Sequence, residues 1–570
     1  MKHRVKLGKT LCFLISSISL IPFHAKAQNG KSAVMMDALK TELSRTMAHL
    51  KNHPTPPYFL SYEVIDTESV SVSGSFGALV SSSPPNRRRQ LGIDLRVGSY
   101  QLDNTRPIRG SMGNFLDTRS FFPMPIEDDP DAIRALVWYY TDQKYKRAVE
   151  QLIAVKTNVK VKAEETDKSG DFSPSKAEVY SDPPGAALQA DRRSWEDKVR
   201  KYTEPFQRYG NIYSVNASLT AEREVRWFVS SDGAAIHTAD SAYRVAISAF
   251  AKASDGMELP LFESFYSPAP GGLPDDAVVL ARVQQMIKNL MALKSAPVME
   301  AYVGPAILSP RATGVVFHEI FGHRVEGQRE KRENQSQTFR DKVGQKVLPE
   351  FISVYSDPTQ RKFGNTELAG YYKFDNEGVK ARRVTVVENG VLKNFLMSRL
   401  PVDGFPESNG HGRRAPGFNV AGRQSNFLVT ASKTVSPEDL KKMLIEEVKK
   451  KSLPYGLYFE DIAGGFTSTG RGMPNFFEVI PVMVYRIYPD GREELVRGVD
   501  LIGTALTAFN KIVAADNRFE AFNGMCGAES GPVPVAVGGP GLLFSEIEVQ
   551  KKPKSQELSP ILAPPFDDKK

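Results

Sequence analysis

The chain has 570 residues, 41% hydrophobic, 25% charged and 10% aromatic. This is the usage of a globular protein with material for several cores, and it excludes a collagen-like, coiled-coil or wholly disordered chain. Of the formal net charge of +8, five positive charges (Lys2, Arg4, Lys6, Lys9 and Lys26) fall in the first 27 residues, which hold no acidic residue, so the rest of the chain carries +3 and offers no electrostatic case for a nucleic-acid partner.

Those first residues read as an export signal. The basic stretch Lys2 to Lys9 precedes an apolar run, Thr10 to Phe23, and then Ala25-Lys26-Ala27, a small-x-small cleavage site before Gln28. The run is short for a membrane span, and no later segment reaches spanning length. The expectation is a soluble periplasmic or secreted product with no transmembrane anchor after cleavage at 27. Cleavage removes Cys12 and leaves Cys526 as the one cysteine, so no intramolecular disulfide can form. A lone thiol in an oxidising compartment is expected to be buried, reactive or bound to a metal.

An amphipathic helix is predicted from Ser32 to Leu50, followed by strands at Tyr58 to Ile65, Ser69 to Val80 and Leu91 to Val97. A helix from Asp131 to Val155 starts after Pro130, and the polar stretch Thr166 to Pro184 reads as a loop. Ile212 to Phe265 alternates around the turns Asp232-Gly233 and Asp255-Gly256, the pattern of an antiparallel meander. A helix from Asp275 to Leu293 closes this half. The second half begins near Ala296 with a short strand (Val298 to Val303), a motif helix and two hairpins turning at Asn389-Gly390 and Asp490-Gly491. Between the hairpins lies a helix capped by Ser436 and opened by Pro437. The fold class is α+β. The parts are a signal at 1–27, an N-terminal α/β region with antiparallel strands at 28–295, a β-rich C-terminal region at 296–550, and a Pro- and Lys-rich tail at 551–570.

The chemistry sits on the motif helix. Ser309 and Pro310 open it, Gly327 is expected to end it, and His318, Glu319 and His323 lie along it. Two imidazoles and a carboxylate suit a hydrolytic zinc site, with neutral nitrogen ligands and a base beside the water that the metal acidifies. The familiar pattern is H-E-x-x-H, but here the histidines stand five apart, roughly 140° around a regular helix. A π-bulge would return them to one side, and Gly322 would permit the distortion. A catalytic zinc needs a third protein ligand. The candidates are Cys526, in a glycine-rich stretch read as tightly turned, Glu326, three residues past His323, and His411, in the loop Asn409-Gly-His-Gly-Arg-Arg414. His411, Arg413 and Arg414 are also candidates to bind substrate. A closed, structural metal site would draw a fourth ligand from Glu326 or Glu529.

The H-E-x-x-x-H helix followed by Arg-Val-Glu-Gly, the Asn409-Gly-His-Gly-Arg-Arg loop, the Gly464-Gly465 pair and the closing Cys526-Gly with Val-Pro-Val and Gly-Gly-Pro after it resemble the TldD/PmbA family of metallopeptidases, also called modulators of DNA gyrase. The motifs occur in the family's order across Ala296 to Gln550. The resemblance implies zinc on His318, His323 and Cys526, with Glu319 as the base. It also implies a small or unfolded peptide as substrate, and a homodimer or a heterodimer with a family paralogue. The alternative is a non-catalytic, metal-stabilised binding or dimer-scaffold protein of the same family. The export signal departs from the family's best-known members, which are cytoplasmic, and so puts their substrates in doubt here.

Overall fold

A computed structural model describes residues 23–108, 121–161, 167–183, 185–472, 476–504 and 508–552. The basic and apolar stretches of the export signal and the tail beyond 552 lie outside the described residues. Among the described residues no helix is long and apolar enough to cross a membrane.

The first half is a seven-stranded sheet with helices on one face. Its spine is four long antiparallel strands, Ala78–Val97, Pro57–Ser75, Ile212–Ser230 and Ala235–Lys252, adjacent in that order. Glu258–Ser267 and the short Val179–Ser181 both pair with the last of these, and Phe121–Pro123 pairs with the first. The meander from Ile212 follows the expected turns. The first hairpin differs from expectation. It turns at Phe76-Gly77, both in the left-handed region (φ 46 and 75), so the expected strand Ser69 to Val80 is in fact two strands. A Phe-Gly pair is not a habitual signal for this turn, which favours Asn-Gly or Asp-Gly.

Helices Phe23–Leu50 and Pro130–Val161 bury Met35, Leu39, Ile133, Val137 and Leu152 against Tyr62, Val64, Leu91 and Ile93. Helices Arg192–Thr203 and Asp276–Ser295 cover Leu219, Val245 and Ile247 further along. The Arg192–Thr203 helix was not expected from the sequence. Its apolar Trp195, Val199 and Tyr202 are outnumbered by charged residues, yet Asp191 caps it by accepting from the Ser194 N–H. Side chains of the opposite strand parity, including Glu63 and Arg226, face the second half of the molecule.

The second half is an eleven-stranded sheet organised around the Val533–Lys551 strand. That strand pairs with Asn426–Ala431, Val499–Thr504, Ile512–Cys526 and Tyr302–Leu308. The circuit closes through Phe476–Ile487 and Gly456–Thr467 back to Tyr302–Leu308, which leaves few free edges in the ring. Leu308, Phe317, Phe321, Phe459, Phe477, Leu501 and Phe544 form one buried core there. The expected strand Val298 to Val303 lies later in the chain, at Tyr302–Leu308. The stretch from Gly524 is tightly turned only between Cys526 and Val533, where the Gly531 N–H donates to the Ala528 carbonyl at 2.9 Å. On either side of that turn it belongs to two long strands, in which Gly538 and Gly539 allow close packing: a β-carbon on Gly538 would lie 2.6 Å from the Glu520 carbonyl, and one on Gly539 2.9 Å from the Thr313 methyl.

Candidate metal centre

The motif helix starts where the sequence puts it. The Ser309 hydroxyl accepts from the Ala312 N–H at 3.1 Å and donates to the Glu460 carbonyl at 2.7 Å, which pins the helix start to the Gly456–Thr467 strand. The helix is regular from Pro310 to Val316, widens into a π turn from Phe317 to Phe321, and tightens into a 3₁₀ turn from Gly322 to Val325. The extra residue of the π turn cancels the five-residue spacing and brings the imidazoles of His318 and His323 together, with ring centroids 5.0 Å apart.

Gly322 has a different role from the one its flexibility suggests. Its backbone is ordinary right-handed helix (φ −58, ψ −47). What requires glycine is space, since a β-carbon would sit 2.0 Å from Gln424 Oε1. The Gln424 amide fills that space and donates to the His318 carbonyl at 3.2 Å. Gly327 likewise does not end the helix by a left-handed turn. The helix stops at Val325, Glu326 is extended, and Gly327 opens the short helix Gln328–Lys331; its missing side chain makes room for Met397, whose Sδ would lie 2.3 Å from a β-carbon there.

Cys526 ends its strand opposite Val533 and is carried to the motif helix by that pairing. Its sulfur lies 3.1 Å from His318 Nε2 and 3.3 Å from His323 Nε2, and all three residues are buried. Tetrahedral zinc bonds of about 2.3 Å to sulfur and about 2.0–2.1 Å to nitrogen span roughly 3.5 Å between such donors, so the observed cluster is a few tenths of an ångström from a zinc-sized cradle. The donor set of two imidazoles and a thiol also suits zinc. Glu319 Oε2 lies 3.9 Å from His323 Nε2, on the same side as the sulfur. Burial raises the Glu319 carboxyl above its ordinary range, against the pull of His318 and His323.

Glu326 is not turned to that side. Its Oε1 lies 3.2 Å from His323 Nδ1, the nitrogen facing away from Cys526, and its Oε2 accepts from Arg329 at 3.0 Å. Burial works against its charge, but His323, Arg329 and Arg423 outweigh burial and draw its pKa down to about 2. Glu529, the other candidate fourth ligand, is held by Arg329 at 2.6 Å and by Gln328 at 3.1 Å. Arg423, which the sequence did not single out, is fully buried and donates from Nη2 to Cys526 Sγ at 3.1 Å.

The candidate substrate residues are committed elsewhere. His411 is sealed in the interior, with Nε2 3.0 Å from Ser356 Oγ, and burial pushes its pKa down to about 3. Arg413 donates to the Gln424 carbonyl at 2.6 Å and stacks over Tyr372. Arg414 pairs with Glu63 at 2.7 Å. The loop thus braces Gln424 and ties the two halves together. A neutral imidazole buried among hydroxyl and carbonyl partners is a structural residue, and its place in a polar loop gave no sign of that burial.

Gly465 also stands at the site, since a β-carbon there would lie 3.0 Å from Glu319 Cγ. The Gly456–Thr467 strand pairs with Phe476–Ile487 along its length but with Tyr302–Leu308 only at Leu457 to Phe459. Beyond Phe459 one edge of it has no strand partner among the described residues, and this open edge passes Glu319.

Comparison with known proteins agrees with this architecture. Residues 302–551 match the PmbA/TldA metallopeptidase C-terminal domain. The chain is 27% identical to a metalloprotease of Methanothermobacter thermautotrophicus over 70% of its own length and 83% of that protein's. It is 25% identical to a zinc metalloprotease TldD homolog of Saccharolobus solfataricus over 48% of its own length, spanning 56% of that relative. The crystal structure of TldE from Thermococcus kodakarensis superposes with a TM-score of 0.60 at 15% identity, covering 91% of this chain and 100% of that one, a likeness of fold. The domain match, the likeness of fold and the motif order agree: residues 302–551 match the C-terminal metallopeptidase domain of the PmbA/TldD family, and the chain as a whole is similar to that family.

Proposed function

We propose that the protein is an exported zinc-dependent peptidase that hydrolyses peptide bonds in small or unfolded peptides. The observation that carries this reading is the meeting of His318 Nε2, His323 Nε2 and Cys526 Sγ beside the Glu319 carboxylate, in a chain similar to a metallopeptidase family. When bound there, zinc supplies Lewis acidity, which polarises the scissile carbonyl and acidifies a neighbouring water. Glu319 then accepts a proton from the attacking water and hands it to the leaving amine. A buried carboxyl with a raised pKa is a better proton acceptor than an exposed one, which suits that exchange. The open edge beyond Phe459 offers backbone donors and acceptors to an extended peptide, which favours loose sequence preference.

A closed structural site is less well supported. The two carboxylates that would complete it, Glu326 and Glu529, are bound by Arg329 instead. Export rests on the pattern of residues 1–27, and assembly as a homodimer or with a paralogue rests on similarity to the family. The test is digestion of a peptide library by purified mature protein, with and without a chelator, alongside zinc analysis. Chelator-sensitive cleavage with about one zinc per chain is the expected result. Stoichiometric zinc without any cleavage would favour the scaffold reading.

A further inference from the structure

One buried guanidinium touches the candidate ligand Cys526 and the carboxylate that stands behind His323. Arg423 Nη2 donates to Cys526 Sγ at 3.1 Å and to the Cys526 carbonyl at 2.7 Å. Its Nη1 donates to Ser530 Oγ at 2.7 Å and to the Gly531 carbonyl at 3.0 Å, which fixes the turn that follows the cysteine. Its Nε lies 3.3 Å from Glu326 Oε1, the same oxygen that faces His323 Nδ1. The flat, five-donor fork of arginine makes all of these contacts from one plane, whereas lysine offers a single point charge.

The contact with sulfur has an electronic consequence. A thiolate is a stronger electron donor to a metal than a third imidazole, and charge given by sulfur weakens the metal as a Lewis acid. A cationic N–H aimed at the sulfur stabilises its lone pair and withdraws part of that charge, since groups behind the ligands tune the metal as well as orient it. We propose that Arg423 is a positioning residue of the metal site: it holds Cys526 and Glu326 in place and, by its hydrogen bond to the sulfur, sets how much charge the thiolate gives the metal. This rests on the metallopeptidase reading above.

The test replaces zinc by cobalt(II), whose sulfur-to-cobalt charge-transfer band reports the energy of the thiolate lone pair directly. In Arg423→Gln the band is expected to move to longer wavelength, because a sulfur without its cationic donor gives up charge more easily. Peptide turnover of the zinc form should fall by roughly ten- to a hundred-fold, the range typical of groups behind metal ligands. Arg423→Lys keeps a cation and should show a smaller shift. A folded, cobalt-loaded Gln variant with the wild-type band overturns the proposal. If the Gln variant does not fold, the Lys variant decides by the same criterion, and failure of both to fold would make Arg423 a structural residue only. Wild-type protein that takes up no cobalt would instead overturn the metal reading itself.

Discussion

Glu319 and the two histidines are adjacent in sequence, but their removal should have different effects. His318→Ala or His323→Ala removes a nitrogen donor and should abolish stoichiometric zinc, as read by elemental analysis of the purified mature protein. Glu319→Gln keeps nearly the same shape and leaves the donor cluster intact, so zinc should remain while hydrolysis is lost, because an amide does not accept the proton from water. Wild-type cleavage rates in that variant would show that Glu319 is not the base. His323 should also tolerate Glu326→Gln less well than its distance from the sulfur suggests. The carboxylate at 3.2 Å orients the ring, and groups of this kind typically account for 10–100-fold in metal affinity or activity.

The motif helix brings His318 and His323 together only with its bulge, and a neighbouring loop packs against that bulge. Gln424 fills the space that Gly322 leaves and donates to the His318 carbonyl. A methyl group at 322 would collide with that amide at 2.0 Å, so Gly322→Ala should displace Gln424 and cost about 1–3 kcal/mol, with a loss of zinc affinity larger than the loss of stability suggests. The double variant Gly322→Ala, Gln424→Ala removes the collision and should recover part of the stability. Thermal melting with and without zinc separates the two effects. No recovery would mean that glycine matters here for the backbone and not for the space beside it.

Across the whole molecule, the two halves are joined by buried charge. Glu63 accepts from Arg226 at 2.5 Å, Arg414 at 2.7 Å and Asn376 at 3.1 Å, while Arg226 also donates to the Asp375 carbonyl at 2.7 Å. Removing this carboxylate leaves two guanidinium groups buried without their partner. Glu63→Ala should therefore cost about 3–5 kcal/mol in urea denaturation. A second link is Lys331, which follows the metal helix and donates to Ser169 Oγ at 3.0 Å and the Pro401 carbonyl at 2.9 Å, with Gly170 also accepting.

Two buried groups should shape the dependence of stability on pH. Burial lowers the pKa of His411 to about 3, so between about 6.5 and about 3 the unfolded chain binds a proton that the folded one refuses, and stability falls as pH falls through that window. Burial raises Glu330 to about 8, and its Oε2 has no hydrogen-bond partner among the described residues. Between about 4.5 and about 8 the folded state holds the extra proton, so stability falls as pH rises. Glu330→Gln should remove that loss, worth roughly 1.4 kcal/mol per pH unit at most, and the variant should gain on wild type between about pH 6 and about pH 8 in urea midpoints.

Local chemistry was legible in the sequence. The Ser309-Pro310 and Ser436-Pro437 helix starts follow from capping, and the Asn389-Gly390 and Asp490-Gly491 turns follow from conformations those residues reach at little cost. The need for a π turn followed from the five-residue histidine spacing alone, because helical geometry fixes where each residue points. Composition limited the thiols to Cys12 and Cys526. The sequence could not place Cys526 beside the histidines by any local rule, since some 200 residues intervene and only the pairing of Ile512–Cys526 with Val533–Lys551 carries it there. Nor could it give Gly322 and Gly327 their true reason, which is the volume of Gln424 and Met397 from remote loops. His411, Arg413 and Arg414 looked like groups free to bind substrate because a polar loop reads as exposed. Burial is a property of what packs around a segment, and only the tertiary structure decided that this loop is enclosed, that Glu326 stands behind His323, and that Arg423 reaches the sulfur.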